Sequence, residues 1–134
     1  MKHHKKRVNT VVIGVGSNIQ PQKNIALAKQ KLKSCHCIIG ESRIHETEPI
    51  GYRYQPNFYN GVILIETEQS YEECKKSLME IEVALGRKRG KNKYSPRTID
   101  LDIVVWNGRV VDDDYYEREF LREAVLEVWP DLEV

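Results

Sequence analysis

No stretch of this 134-residue chain approaches the roughly 18–20 apolar residues that a membrane span needs; the longest, residues 11–15 and 62–65, are strand-sized. Cysteine is scarce and odd in number, three in all, which excludes a disulfide framework and points to a reducing compartment, the cytoplasm. The basic start, Met1-Lys2-His3-His4-Lys5-Lys6-Arg7, is followed by a short apolar strand without a small-residue cleavage site. It is therefore expected to be a frayed terminus, residues 1–7, rather than a signal peptide. Repeats, low-complexity segments and linkers are all lacking, so residues 1–134 are expected to form a single domain. With 40% hydrophobic and 31% charged residues, the composition excludes a disordered or fibrous chain.

Net charge is also lacking, at +1, but its distribution is uneven. Residues 86–97 hold six cations, Arg87, Lys88, Arg89, Lys91, Lys93 and Arg97, and no acid. Residues 100–134 hold eleven acids against Arg109, Arg118 and Arg122. A solvated loop and a solvated tail would account for this. So would an anion held by the loop and a cation held by the acids, the charge pattern of a metal–polyphosphate site.

Periodicity orders the elements. Residues 8–15 read as a buried β-branched strand that Gly14, Gly16, Ser17 and Asn18 end in a turn. Asn24 fits the cap of a helix with Ile25, Leu27, Ala28 and Leu32 on its apolar positions. Residues 37–45 read as strand broken by Gly40, and residues 47–57, with Pro49, Gly51 and Pro56, as a long ordered loop. Residues 58–66 form a second clear strand. Ser70 and Glu73 make a capping box, Cys74, Leu78, Ile81 and Leu85 one helical face, and Gly86 a stop. Residues 98–106 alternate as a strand and 118–128 close as a helix. The order βαββαβ plus a C-terminal helix predicts an α+β sandwich of ferredoxin-like topology.

Two nucleotide motifs are excluded. Gly14-Val15-Gly16-Ser17-Asn18 follows a strand, but Ile19 stands where a dinucleotide fingerprint needs its third glycine. Residues 86–91 follow a helix, not a strand, and Asn92 replaces the Ser or Thr of a phosphate loop. Asp100 and Asp102 are more informative. Strand alternation puts both on the face opposite Ile99, Leu101 and Ile103, roughly 7 Å apart along the strand. That spacing suits one or two hard cations, Mg²⁺ especially; the plain alternative is a solvent-facing strand with two charges. Arg87, Arg89 and Arg97 bracket a Gly/Lys/Asn-rich loop, which can clamp phosphate and order on binding; a basic loop equally serves RNA. Phe58 and Asn60 share a strand face, able to stack on a heterocycle and read its edge, or simply to pack. Cys35 and Cys37 form a lone C-x-C, read as packing rather than metal; His36 and His45 have no assigned place, and Asp112–114 reads as a solvated turn.

At Tyr94-Ser-Pro-Arg97-Thr-Ile-Asp100-Leu-Asp102-Ile-Val-Val the sequence resembles the 6-hydroxymethyl-7,8-dihydropterin pyrophosphokinase family. The likeness extends through Gly14-Val-Gly-Ser-Asn18, Glu46-Thr-Glu-Pro-Ile-Gly51, Gln55-Pro-Asn-Phe58-Tyr-Asn60, Glu80-Ile-Glu82 and Leu85-Gly-Arg87-Lys-Arg89, about residues 8–107 in order. The resemblance implies a ferredoxin-like fold and transfer of a pyrophosphoryl group from ATP to the pterin's hydroxymethyl oxygen, releasing AMP, with two Mg²⁺. It implies Asp100 and Asp102 as magnesium ligands, and Arg87 and Arg97 as catalytic phosphate clamps. Glu82, Arg89 and Arg118 would lie with ATP. Thr47, Glu48, Ile50, Phe58, Asn60, Tyr94 and Phe120 would line the pterin site, with Tyr94 as a closing lid aromatic.

The C-terminal part both fits and departs. Arg118-Glu-Phe120 fits the family's R-x-F, but the P-H segment that normally precedes it has no counterpart. Asp112-Asp-Asp-Tyr-Tyr-Glu117 stands there instead, where its acids would repel triphosphate. The expected partners are ATP and a pterin, with no membrane and no nucleic acid, for a monomer. The alternative that this departure motivates is a weakened paralogue serving as a nucleotide- or RNA-binding module.

Overall fold

The computed structural model describes residues 7–51, 53–87 and 96–134. Ten elements follow in order: β1 (Asn9–Ser17), α1 (Pro21–Cys35), β2 (Cys37–Glu41), β3 (His45–Thr47), β4 (Phe58–Thr67), α2 (Tyr71–Ala84), β5 (Asp100–Trp106), β6 (Arg109–Val110), α3 (Asp114–Glu117) and α4 (Glu119–Val128). The strands form one antiparallel sheet in the order β2-β4-β1-β5-β6, with β3 also paired to β4. The fold is thus mixed α+β, an antiparallel sheet with four helices among the described residues. None of these helices is long and apolar enough to cross a membrane.

Period-2 alternation along β1 and β4 feeds two cores. Val11, Ile13, Ile63 and Ile65 face α1 and α2 and pack with Ala28, Leu32, Cys74 and Leu78. Val12, Val62 and Leu64 face α4 and pack with Leu121, Ala124 and Val125. Each fully buried aliphatic side chain contributes roughly 1.5–3 kcal/mol, which makes the central strands the most stable part of the molecule. Helix α2 starts where the sequence predicts. Ser70 accepts from the Glu73 amide at 3.2 Å and Glu73 accepts from the Ser70 amide at 2.9 Å. Gly86, at φ +87°, takes the left-handed turn that ends the helix.

Four local expectations are corrected. Helix α1 begins at Pro21, not Asn24: proline's fixed φ suits the first helical position. Asn24 lies inside the helix and its side chain donates back to the Ile19 carbonyl. Gly14 and Gly16 are interior strand positions of β1, not a turn. The predicted strand at residues 37–45 is two strands, and Thr47 belongs to the second of them rather than to the following loop. The terminal helix is preceded by α3, anchored through buried Tyr115 in the core under α4. A further hairpin joins β5 to β6 through Asn107 and Gly108, both at positive φ.

Candidate active site

Three strands build the site. On the α4 side of the sheet, β4 presents Phe58 and Asn60, β1 presents Gly14 and Gly16, and β5 presents Asp100 and Asp102. The register sets Gly16 between Asn60 and Asp100, and Gly14 opposite Asp102. The two glycines put no side chain on this face, so the sheet is hollowed into a trough between the amide and the carboxylates. A Cβ at Gly16 would stand 2.6 Å from Asn60 Oδ1, so the close approach of Asn60 requires glycine there. A register shift beyond Ile103 lets Val104 and Val105 both join the α4 core, while Asp100 and Asp102 keep facing the trough.

The trough opens into adjoining cavities. One of about 290 Å³ is lined by Thr47, Glu48, Ile50, Phe58, Asn60, Arg97, Asp100, Asp102, Asp114 and Arg118. A smaller one, about 80 Å³, shares Asn60, both aspartates and Arg118 and is walled by Phe120. Asn60 donates to Thr47 Oγ1 at 2.6 Å, which fixes the amide's rotamer. A third cavity, about 540 Å³, runs along β5 between α2 and the 111–113 segment and includes Glu82, Arg87, Asp102, Ile103 and Asp112.

The two aspartates are in different electrostatic states. Asp100 is held by both arginines: Arg87 donates to Oδ1 and Arg97 to Oδ2, each at 2.9 Å. Arg87 also pairs with buried Glu82. The same Glu82 carboxylate accepts from the Leu101 amide at 2.9 Å, so it ties α2, Arg87 and β5 together. Asp102 has no hydrogen bond or ion pair among the described residues. Its carboxylate reaches solvent but sits on the floor of the trough. Loss of surrounding water, then the neighbouring charges of Asp100, Asp112 and Glu82, push it up to about 7, with Arg87 opposing.

Two hard oxygen donors on one face, one of them uncompensated, fit Mg²⁺ that also takes phosphate and water oxygens. No group of three or more His, Cys, Asp or Glu side chains among the described residues could hold a metal by itself.

The structure brings together Glu82, Arg87, Arg97, Asp100 and Asp102 on one side, and Thr47, Glu48, Ile50, Phe58, Asn60, Arg118 and Phe120 around the cavities. Arg89 and Tyr94 lie outside the described residues, as does most of the expected lid. The Asp112–114 run is not a freely solvated turn. Asp112 lines the trough, accepts from the Asp114 amide at 3.0 Å and is shifted upward, chiefly by burial. Sequence reasoning also passed over Asn18, which is buried and donates to Gln55 Oε1 at 2.6 Å and to Pro56 O at 3.1 Å. A polar residue in the Gly-Ser-Asn end of a strand was the available signal. His45, directly opposite Asn60, keeps a buried Nε2 without a partner among the described residues.

The chain is similar to known proteins along most of its length. A protein of Helicobacter pylori named 2-amino-4-hydroxy-6-hydroxymethyldihydropteridine pyrophosphokinase is 38% identical over 116 residues, covering 77% of this chain and 68% of that protein. A Haemophilus influenzae protein of the same name is 31% identical, covering 92% of this chain and 83% of the relative. The folic acid synthesis protein fol1 of Schizosaccharomyces pombe is 33% identical over 98% of this chain, which spans 19% of that longer protein. The profile of the 7,8-dihydro-6-hydroxymethylpterin-pyrophosphokinase family matches residues 12–130, and the chain belongs to that family.

Proposed function

We propose that the protein transfers the pyrophosphoryl group of ATP to the hydroxymethyl oxygen of 6-hydroxymethyl-7,8-dihydropterin, releasing AMP, in folate biosynthesis. One observation carries the reading. Arg87 and Arg97 converge on Asp100 at the edge of a trough whose other end offers Phe58, Asn60 and Phe120. A phosphate-binding half and a heterocycle-binding half thus share one glycine-floored face. The family match favours this enzyme over a nucleotide- or RNA-binding module.

In this reading the pterin stacks on Phe58 and Phe120 while Asn60, held by Thr47, reads its edge. Thr47, Glu48 and Ile50 form the adjoining wall. The triphosphate draws Arg87 and Arg97 away from Asp100, and their guanidinium groups neutralise charge on the transferring phosphates. Asp100 and Asp102 would hold Mg²⁺, two ions in the fully loaded site, which lower the barrier by screening the triphosphate and orienting it. Glu82 keeps Arg87 within reach and Arg118 lies at the trough for ATP; Arg89 would contact ATP and Tyr94 the pterin.

The strand order supports a ferredoxin-like sandwich, and a single-domain monomer is part of the same proposal. Three unpaired cysteines suit a reducing cytoplasm. The test is product analysis with Mg-ATP and the pterin alcohol. AMP and pterin diphosphate are expected; ADP as product, or no pterin-dependent turnover, overturns the proposal.

A further inference from the structure

His36 lies at the corner where α1 ends and β2 begins, buried although Cys35 and Cys37 on either side of it are exposed. The sequence reading of these two thiols as packing residues therefore does not hold; the packed cysteine is Cys74 of α2. The corner is remote from the trough. Thr67, the partner of His36 on β4, is seven positions along that strand from Asn60, roughly 23 Å. The pyrophosphokinase reading makes no use of this histidine.

The ring sits in a chain of hydrogen bonds, with Nδ1 2.8 Å from Thr67 Oγ1 and Nε2 3.3 Å from Ser77 Oγ. The outer ends of the chain fix its direction. The Gln69 amide can only donate, and does so to Thr67 Oγ1 at 3.1 Å. The Cys74 carbonyl can only accept, and takes the Ser77 hydroxyl proton at 2.9 Å. Ser77 then meets Nε2 with a lone pair, so Nε2 carries the ring proton. Thr67 is 4% exposed and its hydroxyl has no other acceptor among the described residues, so its proton goes to Nδ1. Only the neutral imidazole with Nε2 protonated satisfies every member. The other tautomer leaves the Thr67 proton and the Nε2 lone pair both unpaired.

A second ring proton would land on Nδ1. The Thr67 hydroxyl would have to turn its own proton into buried surroundings, and a positive ring would lie between hydroxyls rather than carboxylates. Charged groups face the corner from the elements around it: Lys33 from α1, Glu66 from β4 and Glu68 from the turn after it line the open groove with the thiols of Cys35 and Cys37. Glu41 of β2 is paired with Lys29. On α2, Glu73 and Glu80 stand one turn either side of Ser77, and the Glu73 carboxylate is seated on the Ser70 amide. The Cys74 thiol, which burial raises to about 11, stays neutral. Both ring nitrogens are bonded to hydroxyls, not to any of these groups. Burial accordingly lowers His36 from its ordinary 6.5.

The corner depends on this ring. Among the described residues β2 is an edge strand bonded to β4 alone, and its register slips between Ile38 and Gly40. An edge strand with an interrupted ladder belongs to the less stable end of a fold. The ring ties the residue just before that strand to both β4 and α2. The closed corner binds a proton less tightly than the opened chain, so acidification below 6.5 favours opening.

We propose that His36 is an acid-sensitive fastener: as the neutral imidazole with Nε2 protonated it ties the α1–β2 corner to β4 and α2, and its protonation releases that corner while the central strands stay in place.

The test uses the full chain, isotopically labelled and without ligand. Long-range proton–nitrogen correlation spectra read the tautomer and protonation of the ring, and native-state hydrogen exchange reads opening. At about pH 7.5 the His36 ring is expected to be neutral, with Nε2 protonated and Nδ1 bare. As the ring titrates in acid, protection factors at residues 36–38 and 67–69 should fall by roughly tenfold or more, while those of residues 12–15 in β1 hold. His36→Gln, which cannot titrate at that position, should lose this pH dependence. A ring protonated on Nδ1 alone, or corner protection that stays constant while the ring takes up its second proton, would overturn the proposal. So would the same acid-induced loss in His36→Gln. The tautomer and exchange readings on the wild type decide the matter even where the variant folds poorly.

Discussion

Asn18 and Arg97, 79 positions apart, hold each other reciprocally. The Asn18 amide donates to the Arg97 carbonyl at 3.1 Å, and the Arg97 amide donates to Asn18 Oδ1 at 2.8 Å. Because the Asn18 side chain also donates to Gln55 and Pro56, one buried residue joins the end of β1, the arginine that grips Asp100 and the loop before Phe58. The Arg97 side and the Phe58 side of the trough are therefore linked through one residue.

Asn18→Ala is expected to cost about 1–3 kcal/mol in denaturant unfolding, since it strands the polar groups it satisfied. Steady-state kinetics should show both a raised KM for the pterin and a lowered kcat. A change confined to one substrate's KM would show that the amide does not couple the halves.

The two aspartates should respond differently to truncation. Asp100→Ala removes the acceptor that Arg87 and Arg97 share and should destabilise the metal-free protein by about 1–3 kcal/mol. Asp102→Ala removes a carboxylate that has no cationic partner, so stability should stay within about 0.5 kcal/mol of wild type or rise. Both variants should lose most pyrophosphoryl transfer at saturating Mg²⁺. Calorimetric unfolding beside a turnover assay separates the effects, and equal destabilisation by the two substitutions would contradict the asymmetry.

The pH response follows from the raised Asp102 carboxyl. Its folded value, about 7, lies above the ordinary value of 3.8, so the folded protein binds this proton more tightly than the unfolded chain. The associated stability is full below 3.8 and is lost as pH rises through about 7. His36 works the other way: burial lowers it from 6.5, and its contribution is lost on acidification below that value. Subtracting the melting profile of Asp102→Asn from that of wild type, without metal, should isolate a term that favours wild type more at pH 5.5 than at pH 8. If Asp102 holds Mg²⁺ as proposed, the ion would have to displace its proton, so the affinity should weaken below about pH 7 in isothermal titration. A flat difference profile would remove the assignment.

Gly16→Ala places a methyl group against Asn60, which Thr47 holds in position. Pterin KM should rise by about tenfold, the equivalent of 1.4 kcal/mol, with a much smaller change in ATP KM. Unchanged pterin binding would mean that Asn60 adapts freely and is not a positioned edge reader.

Local period accounts for what could be read in advance. Strand β5 is legible because residues 99–103 alternate, and α2 because Ser70, Glu73 and the Cys74–Leu78–Ile81 spacing agree. The start of α1 is ambiguous because Asn24 has the composition of a cap while Pro21 has the required backbone. The short hairpin at Asn107-Gly108 carried a turn signal, but β6, Arg109–Val110, is too brief for any period. Glycine is a poor guide inside β1, since Gly14 and Gly16 look like turn residues until the register shows what they leave room for. The candidate metal carboxylates were visible as a local pattern. The partners of Asn18, Glu82 and Asp112 were not, because they are joined by tertiary packing.

The Glu82 carboxylate on the Leu101 amide has a consequence for how the protein survives at high concentration. Among the described residues β6 pairs with β5 at Val105 and Trp106, so the beginning of β5 has no strand partner on that side. Bare strand margins recruit other chains and seed aggregates. A negative side chain already seated on that amide occupies a donor that an incoming strand would need, and it repels the carbonyl that would take its place. The residue that keeps Arg87 near the trough thus also works as a gatekeeper against sheet extension. The Leu101 amide is thereby closed to strand pairing, while Asp100 and Asp102 of the same strand still face the trough.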